Sequence, residues 1–581
     1  MGTVAPPSIV GLGGRESNLE RLRRERFDLL VVGGGITGAG VAWDAASRGL
    51  RVAVVEKQDV ASGTSSRSTK LLHGGLRYLQ QADVVLVREA LHERGVIGRL
   101  APHLVELTPF LFPIYGGWRE RAKLAAGLSL YDVLAVGSGA PRHRWLGPDA
   151  TCKVAPGLAE AGLDGAFVYR DAQTDDARMV VEVLAGAVKH GAAVANRVAM
   201  REVVRRNGAV VGAGVEDVVT GDTFQIEASV VVVAAGVWLE DIVAPRPGNP
   251  RVLPAKGVHL FVPIDGFPTD AAVYTSTTRD GRLFFIVPWL GVAMIGTTDS
   301  PYAGDLAAPV TLPEEMDYLL EAANRAFPKV RLGRDDVLAT QAGLRPLVSM
   351  AASDGRPTRT LSREERVWEP EPGVVAIAGG KLTTFRHMGQ RVVDLVARRL
   401  SGPRGVNHAV TATDPLGGFT RPMGAPEFLA WRDGALAGVT GDARTFRGAA
   451  ITRYGARFPI LEEMVARDAS LAAPLFPEDP AVVSTRAEAL YAIRHEQAGS
   501  VGDVLARRLR VALLTRDQGR SAVDDVASLL AQELGWTAAR REAAVAEYDR
   551  EVAQYAVPGQ EVGSAHLPVT DAGRALVGAS A

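Results

Sequence analysis

The stretch FDLLVVGGGITGAGVAWDAASRGLRVAVVEKQD, residues 27–59, constrains the fold of this chain more than any other feature. Leu29–Val32 is a short, wholly apolar run of the kind that a buried parallel strand uses. A glycine-rich turn follows it, then a helical pattern from Thr37 to Ser47 and a second apolar run, Val52–Val55. This order predicts a strand, a turn, a helix and a strand, which form an α/β unit.

Three glycines in the turn, Gly33, Gly35 and Gly38, have the spacing G-x-G-x-x-G. The first permits a tight turn, the second lets a pyrophosphate approach the backbone, and the third lets the helix pack closely on the strand. The N–H groups of the helix N-terminus then face the phosphates. Glu56, at the end of the second strand, suits a ribose with a free 2′-hydroxyl. The sequence therefore predicts a site for FAD or NAD rather than NADP.

A second glycine turn, GGKLTT at residues 379–384, favours FAD over NAD. It lies between a strand pattern and a long helical pattern, where the hydroxyls of Thr383 and Thr384 are placed to cap the helix. A helix N-terminus is positive, and a reduced flavin carries negative charge at its N1 and O2 edge. An NAD site has no need of this second positive terminus, so we predict FAD.

The rest of the chain shows patterns of several domains, as its 581 residues require. Residues 177–195 predict a helix that runs into a strand, and residues 198–225 predict an antiparallel meander. Strand patterns across 251–299 indicate a separate sheet. Residues 401–424 are rich in Gly, Pro and Thr and predict a linker. Residues 425–555 have helical spacing throughout and predict a helical C-terminal domain.

Composition excludes several classes of function. Lys and Arg total 65 against 66 Asp and Glu, which gives no overall basis for a nucleic-acid partner. One cysteine, Cys152, excludes an internal disulfide and a cysteine-based metal cluster, and it suits a reduced cytoplasmic compartment. The N-terminal residues lack the apolar core of a signal peptide. The longest apolar run, residues 230–238, is well short of the ~18 residues of a transmembrane helix, so we expect any membrane contact to be peripheral.

Motifs along the chain resemble, in their order, those of the FAD-dependent glycerol-3-phosphate dehydrogenases. They are VVGGGITGAGVAWDAASRG, ASGTSSRSTKLLHGGLRYL, AAGVW, IGTTD, GLRPL, AGGKLTTFR and DVLARR. The resemblance covers roughly residues 25 to 555. It implies a Rossmann-like α/β FAD-binding domain of the D-amino-acid oxidase type, a mixed-sheet substrate domain and an all-α C-terminal domain. The expected boundaries are 27–105, 160–250 and 335–402 for the FAD-binding domain, 106–159 and 251–334 for the substrate domain, and 425–560 for the helical domain.

The resemblance places the segment SGTSSRSTKLLHGGLRY, residues 62–78, along the FAD pyrophosphate and then under the isoalloxazine ring. Glycine pairs let a chain pass close to a flat ring without a Cβ clash. The FAD-binding residues that the resemblance implies are Gly33, Gly35, Ile36, Gly38, Glu56, Lys57, Thr64, Ser65, Ser66, Ser68, Lys70, Leu72, His73, Gly74, Gly75, Val198, Ala235, Gly236, Trp238, Gly380, Lys381, Leu382, Thr383 and Thr384.

The substrate that the resemblance implies is sn-glycerol 3-phosphate, a small dianion with a secondary alcohol. Its phosphate calls for cations where water is excluded, and guanidinium groups suit phosphate because they donate paired hydrogen bonds. The matching substrate-binding positions are Arg77, Tyr78, Arg345, Arg363 and Lys381. Arg363 departs from the family pattern because two glutamates follow it.

Oxidation of the C2 alcohol to dihydroxyacetone phosphate requires loss of the hydroxyl proton and transfer of a hydride to flavin N5. His259 matches the family position near the substrate hydroxyl, and a neutral imidazole can accept the proton. His73 is the alternative base, although its place beside two glycines suits a flavin contact better. The sequence leaves this choice open. Arg345 and Lys381 complete the expected catalytic set.

Two electron acceptors are consistent with the resemblance, a membrane quinone and oxygen. The related oxidases typically carry an insertion before the C-terminal region, and no long low-complexity insertion is present, which favours quinone. The helical pattern at 118–135 has a cationic, aromatic end (Trp118, Arg119, Arg121 and Lys123) ahead of an apolar face (Leu124, Leu128, Leu130, Tyr131 and Leu134). This pattern suits a helix lying on an anionic bilayer, although a helix packed into its own domain has the same pattern.

We therefore expect a cytoplasmic homodimer that contacts the inner face of the cell membrane peripherally. A flavoprotein of another class, used for binding or for RNA modification, is disfavoured, because the expected cations cluster at one small pocket and the chain has no basic excess.

Overall fold

The computed structural model describes residues 11–560 apart from 80–82, 268, 270, 277, 351–363, 401–405 and 480. The helices in these residues are α1 (Arg15–Arg24), α2 (Ile36–Ser47), α3 (Leu76–Leu79), α4 (Val84–Leu100), α5 (Gly117–Leu134), α6 (Pro148–Val154), α7 (Asp176–Lys189), α8 (Leu239–Ile242), α9 (Pro313–Ala326), α10 (Phe385–Leu400), α11 (Ala425–Ala435), α12 (Gly441–Tyr454), α13 (Phe458–Arg467), α14 (Arg486–His495), α15 (Val523–Leu534) and α16 (Ala538–Val552). The strands are β1 (Arg26–Val32), β2 (Val52–Glu56), β3 (Leu71–Leu72), β4 (Glu106–Ile114), β5 (Arg144–Leu146), β6 (Gly165–Gln173), β7 (Ala193–Asn196), β8 (Val198–Arg206), β9 (Ala209–Asp217), β10 (Thr223–Val233), β11 (Arg251–Pro263), β12 (Ala272–Thr275), β13 (Phe284–Trp289), β14 (Val292–Gly296), β15 (Ser300–Pro301), β16 (Ala339–Ser349), β17 (Arg366–Glu371) and β18 (Val374–Ala378).

The first sheet is built around the predicted unit β1, α2 and β2. Strands β18, β10, β1, β2 and β7 are neighbours in that order and run parallel. Their apolar residues are buried on both faces, as parallel sheets require. The predicted antiparallel meander is β8, β9 and β10. Because the strands are parallel, the turns that follow β1, β2, β10 and β18 all lie at the same edge of the sheet, where open α/β sheets bind ligands.

The second sheet is mixed and contains the long antiparallel pair β11 and β16. In this pair His259 lies opposite Gln341, Gly257 opposite Gly343, and Ala255 opposite Arg345. Side chains alternate between the faces of a strand, so these positions share one face. The two glycines in its middle allow close approach, because a Cβ on Gly257 would lie 2.3 Å from the Arg345 guanidinium and one on Gly343 would lie 2.3 Å from the Arg67 carbonyl oxygen.

Two strands that the sequence assigns to the FAD-binding domain are part of the second sheet. Strand β6, expected in the FAD-binding domain, pairs with β4 in the second sheet. Strand β16, expected in the same domain, pairs with β11. Both strands are almost wholly buried, and an apolar run of this kind does not reveal which of two sheets it joins.

The predicted helical C-terminal domain is present as α11 to α16, with a π-helix at Asp503–Arg508. The apolar residues of α15 and α16 share one core cluster with residues of the second sheet, and those of α11, α12 and α13 form a separate cluster. The described part of the predicted linker, residues 406–424, contains no helix or strand. It is anchored, because Asp414 accepts hydrogen bonds from the Trp43 indole N–H and the Lys189 ammonium, both at 2.7 Å.

Candidate functional site

A cavity of about 390 Å³ lies at the carboxyl edge of the first sheet, and we call it the nucleotide cavity. The turns after β1, β2, β10 and β18 all contribute to its wall. Of the residues predicted to bind FAD, those that line it are Gly33, Gly35, Ile36, Glu56, Lys57, Thr64, Ser65, Ser68, Val198, Ala235, Gly236, Trp238, Gly380, Lys381 and Leu382. These four turns thus surround one space, although the first and the last of them are more than 300 residues apart in the sequence.

The glycines of the first turn are required by close backbone approaches. Gly33 has a φ of 114°, and a Cβ there would lie 2.5 Å from the carbonyl oxygen of Ala234. A Cβ on Gly38 would lie 1.9 Å from the carbonyl oxygen of Gly33. Gly38 therefore does not line the cavity but lets the first turn of α2 pack against the end of β1, which brings the helix N-terminus to the cavity.

The Glu56 carboxylate is held in place by two backbone donors. The N–H of Gly34 donates to one oxygen at 2.8 Å, and the N–H of Gln58 donates to the other at 2.9 Å. Burial raises the pKa of Glu56, and these two hydrogen bonds act in the opposite direction. Beside it, the Lys57 ammonium lies 4.3 Å from the ring centroid of Trp238.

A second cavity of about 480 Å³ adjoins the first, and we call it the inner cavity. The predicted residues that line it are Thr64, Ser68, His73, Gly75, Tyr78, His259, Arg345, Gly380, Lys381, Leu382 and Thr383. Residues 379–382 line both cavities, so the GGKLTT turn forms a common wall. A ligand that fills the nucleotide cavity would border the inner cavity at this wall.

The Arg345 guanidinium lies over Gly257, where a Cβ would be 2.3 Å from its Nη2 atom. Nη2 donates to the Thr297 hydroxyl at 3.0 Å and to the Thr298 carbonyl at 3.1 Å. The side chain of Asp299 is 3.4 Å away. These contacts fix the direction of the guanidinium, and the side chain remains 22% exposed at the cavity surface.

The His259 imidazole is buried in the wall of the inner cavity. Its Nε2 is 3.0 Å from the Thr69 hydroxyl, and its Nδ1 has no hydrogen-bond partner among the described residues. Burial, with the positive charges of Lys70 and Arg345, lowers the pKa of His259 from 6.5 to about 3. The imidazole is therefore neutral at physiological pH and has a free lone pair, and the same burial and charges make it a weaker base than an imidazole in water.

The GGKLTT turn and the HGG turn are joined directly. The Thr383 hydroxyl accepts the N–H of His73 at 3.0 Å and lies 3.3 Å from the carbonyl oxygen of His73. The Thr384 hydroxyl donates to the Lys381 carbonyl at 3.4 Å. Neither hydroxyl has the helix-capping bond that the sequence predicted. At the same place, the Lys381 ammonium lies 3.7 Å from the ring centroid of Tyr78.

Other predicted residues lie behind the cavity walls. Those that line neither cavity are Gly38, Ser66, Lys70, Leu72, Gly74 and Thr384. Lys70 is fully buried and its ammonium is 3.1 Å from a carboxylate oxygen of Asp176. The N–H of Gly74 donates to the Tyr131 hydroxyl at 2.9 Å. The Arg77 side chain and Arg363 lie outside the described residues.

The structure also brings residues to the inner cavity to which the sequence assigned no role, among them Arg67, Thr69, Arg282 and Thr297. Arg67 and Thr69 belong to the segment 62–78, and Thr297 belongs to the IGTTD motif. Nothing in the sequence pattern indicated that these side chains, rather than their neighbours, face the cavity. Arg282 lies in a loop without periodicity. Its guanidinium donates to the Asp299 carbonyl at 3.2 Å.

Helix α5 divides its apolar residues between the protein interior and solvent. Leu128 and Tyr131 are buried, and Leu124 and Leu134 pack against the same core. Much of the apolar face expected on a bilayer therefore packs inside its own domain, which is the alternative that the sequence left open. Trp118, Val133 and Val136, in and just after the helix, are 74%, 67% and 83% exposed. None of the described helices is both long and apolar enough to cross a membrane.

Comparison with known proteins gives two family models that together match most of the chain. The model of FAD-dependent oxidoreductases matches residues 28–395. The model of the C-terminal domain of alpha-glycerophosphate oxidase matches residues 425–541. The division between them falls in the segment that the sequence predicts as a linker.

Individual relatives are similar over nearly their whole length. Glycerol-3-phosphate dehydrogenase 2 of Mycobacterium tuberculosis is 38% identical over 559 residues, which are 95% of this chain and 91% of the relative. The aerobic glycerol-3-phosphate dehydrogenase of Staphylococcus aureus is 34% identical over 93% of this chain and 96% of its own. The solved structure of the glycerol-3-phosphate dehydrogenase of Bacillus halodurans, complexed with FAD, is 30% identical with a TM-score of 0.77, and the similarity covers 95% and 100% of the two chains.

Proposed function

Because the chain belongs to the FAD-dependent glycerol-3-phosphate dehydrogenase family, we propose that it oxidises sn-glycerol 3-phosphate to dihydroxyacetone phosphate and passes the electrons to a membrane quinone. The observation that carries the proposal is the inner cavity. It places the cations of Arg345 and Lys381 and the neutral imidazole of His259 around one space of small-molecule size beside the nucleotide cavity.

FAD is the cofactor of this family, and the nucleotide cavity fits it. The Cβ-free surface of Gly33 and Gly35, the N-terminus of α2 and the Glu56 carboxylate supply the turn, the donors and the acceptor that a dinucleotide needs. Residues 379–382 extend the wall into the inner cavity, where a flavin would meet the substrate. When bound, FAD accepts a hydride from a substrate carbon.

The chain's own residues bind the substrate and accept the proton of its C2 hydroxyl. Arg345, fixed by Thr297 and Thr298, offers guanidinium N–H groups to a phosphate. Lys381 adds a second positive charge at the wall shared with the nucleotide cavity. His259, neutral because burial and nearby cations lower its pKa, accepts the proton of the C2 hydroxyl.

Anaerobic mixing of the purified FAD-loaded protein with glycerol 3-phosphate tests the substrate. We expect the flavin absorbance to bleach, because two electrons pass from the C2 alcohol to FAD. Glycerol has the same alcohol and lacks the phosphate, so it should bleach the flavin far more slowly. An unbleached flavin, or equal bleaching by glycerol, would reject the proposed substrate.

The electron acceptor is tested separately. We propose quinone because the chain resembles relatives named dehydrogenases and lacks a long insertion before residue 425. Turnover of glycerol 3-phosphate in air should then reduce a soluble quinone analogue faster than it releases hydrogen peroxide. Stoichiometric peroxide with no acceleration by quinone would identify an oxidase instead.

We also propose peripheral contact with an anionic membrane through α5 and the residues after it. Trp118, Val133 and Val136 are exposed apolar side chains, and Arg119 and Arg121 supply positive charge on the same helix. Apolar side chains with nearby cations bind the interface of anionic bilayers.

The double variant Val133→Asp/Val136→Asp should lose co-sedimentation with phosphatidylglycerol vesicles, because two carboxylates would face an apolar and anionic surface. Val218→Asp/Val219→Asp is the matched control, since these valines are 48% and 60% exposed on the meander of the first sheet. Equal sedimentation of the two double variants would contradict the proposed membrane face.

Gly38→Ala should weaken the binding of FAD without unfolding the chain. The new Cβ would meet the Gly33 carbonyl oxygen at 1.9 Å, so α2 must move from the end of β1 and its N-terminus from the phosphates. Overpacking of this kind costs about 1–3 kcal/mol, and we expect FAD affinity to fall about tenfold or more. The ratio of flavin to protein absorbance measures this loss of affinity.

Gly434→Ala is the control, because nothing lies within 4 Å of a Cβ on this glycine of α11. A normal flavin content in Gly38→Ala would contradict the prediction.

A further inference from the structure

The segment Ser66–Lys70 is held from behind by a buried charged cluster. Ser68 lines both cavities and Thr69 lines the inner cavity. On the side away from the cavities lie Lys70, Asp176 and Arg510, none of them more than 2% exposed. Arg510 comes from the C-terminal helical domain, for which the sequence indicates no role.

Arg510 reaches this segment by one direct hydrogen bond and by a second one through Asp176. Its Nη2 donates to the Ser66 carbonyl at 2.9 Å and to a carboxylate oxygen of Asp176 at 3.1 Å. The other carboxylate oxygen of Asp176 accepts the Ser68 N–H at 2.9 Å and the Ser68 hydroxyl at 2.7 Å. The Lys70 ammonium is 3.2 Å from the same Ser66 carbonyl. Arg510 therefore contacts the segment directly at Ser66 and indirectly at Ser68.

The backbone conformation of the two cations is unfavourable. Arg510 has a φ of 65° and Lys70 a φ of 56°, in the left-handed region that residues with a Cβ seldom adopt. Arg510 also follows the π-helix Asp503–Arg508 closely, and π-helical turns are rare. Unfavourable conformations of this kind persist where the surroundings determine them, and they cluster at functional sites. Here the two left-handed residues, Lys70 and Arg510, both bring their cations to the Ser66 carbonyl and the Asp176 carboxylate.

The contacts continue to the proposed base. Thr69 follows Ser68 directly, and its hydroxyl is 3.0 Å from His259 Nε2. The side-chain amide of Gln341, which lies opposite His259 in the second sheet, accepts from Lys70 at 3.2 Å and donates to the Ser68 carbonyl at 3.3 Å. A shift of Ser66–Thr69 would therefore move the Thr69 hydroxyl relative to the imidazole.

We propose that Arg510 is a positioning residue for the reaction, through which the C-terminal domain holds Ser66–Thr69 against both cavities. The proposal rests on the proposed function, because it assigns His259 to the reacting alcohol. This role is distinct from simply joining the C-terminal domain to the rest of the protein. Arg453, another buried arginine of the C-terminal domain, pairs with Glu488 and with the Val483 carbonyl and contacts no residue of the segment.

The test compares Arg510→Met with Arg453→Met in the FAD-loaded protein. Both changes remove a buried guanidinium and leave a buried carboxylate with one partner fewer. We expect the limiting rate of flavin reduction by glycerol 3-phosphate to fall about tenfold or more in Arg510→Met, because small misplacements of reacting groups cost this much. The substrate concentration for half-maximal reduction should stay near the wild-type value, since Arg345 is untouched. Arg510→Lys, which keeps the charge, should recover part of the rate.

Hydrogen–deuterium exchange of the peptide spanning Ser66–Lys70 gives a readout that needs no substrate. Exchange there should become faster in Arg510→Met and stay at the wild-type rate in Arg453→Met. A wild-type limiting rate with unchanged exchange in Arg510→Met, or equal losses in both variants, would overturn the proposal. If either Met variant fails to fold, Arg510→Lys and Arg453→Lys are compared by the same criteria. If glycerol 3-phosphate does not bleach the flavin of the wild-type protein, the proposed substrate is wrong. The hydrogen–deuterium exchange comparison would still decide whether Arg510 holds the segment Ser66–Lys70.

Discussion

Arg345→Ala should raise the concentration of glycerol 3-phosphate needed for half-maximal flavin reduction by about 10²–10³-fold, since truncating one member of a buried charged contact costs about 2–5 kcal/mol. The guanidinium is held over Gly257 by Thr297 and Thr298, so its N–H groups are aimed before the substrate arrives. FAD should remain bound, because Arg345 does not line the nucleotide cavity.

Two comparisons distinguish phosphate recognition from a general effect on the protein. The half-maximal concentration for Arg345→Lys should lie between the values for the wild type and Arg345→Ala, because an ammonium keeps the charge and loses the paired N–H geometry. Arg251→Ala, on the same strand pair but joined to Glu240 away from the cavities, should leave the half-maximal concentration unchanged. The slow reaction with glycerol should change little in Arg345→Ala. Loss of FAD from Arg345→Ala, or an equal loss of activity toward glycerol, would show that Arg345 does not bind the phosphate.

The local features of the site were predictable from sequence because they depend on short-range geometry. The G-x-G-x-x-G turn follows from the close approach of Gly38 to Gly33, which any strand, turn and helix of this kind requires. The ends of β1 and β2 agree with the apolar runs to within a few residues. The wider set of FAD-binding residues was implied by the family resemblance rather than by local geometry, and most of that set lines one of the two cavities.

The long-range features were not predictable, because the sequence does not show which distant groups meet. The apolar runs of β6 and β16 fit either sheet. The sequence predicted that the Thr383 hydroxyl caps the helix that follows it. In the structure this hydroxyl instead accepts the N–H of His73, which is 310 residues away in the chain. Arg510 stands in an arginine-rich helical stretch, where solvated side chains are the usual expectation, and it reaches Ser66 across 444 residues. Buried charges gain such partners only through the tertiary fold, so composition and periodicity do not reveal them.

His259→Asn should lower the limiting rate of flavin reduction by about 10²–10⁴-fold, the usual contribution of a general base, and leave FAD bound. His103→Asn is the matched control. His103 is also buried, and burial likewise lowers its pKa, to about 4, but it lines neither cavity. We expect its variant to reduce flavin at the wild-type rate. His73→Asn decides between the two candidate bases, because a larger loss there than in His259→Asn would assign the proton to His73.

The pH dependence of flavin reduction provides a further test of His259. A base acts only in its neutral form, so an imidazole with the ordinary pKa of 6.5 would lose activity as the pH falls below that value. The pKa of His259 is lowered to about 3, which keeps the imidazole neutral through the whole range above it. The limiting rate in the wild type should therefore show no loss from His259 between about pH 7.5 and pH 5. An inflection near 6.5 that disappears in His259→Asn would mean that the bound substrate restores the ordinary pKa, and the buried cations would then not keep His259 neutral during the reaction.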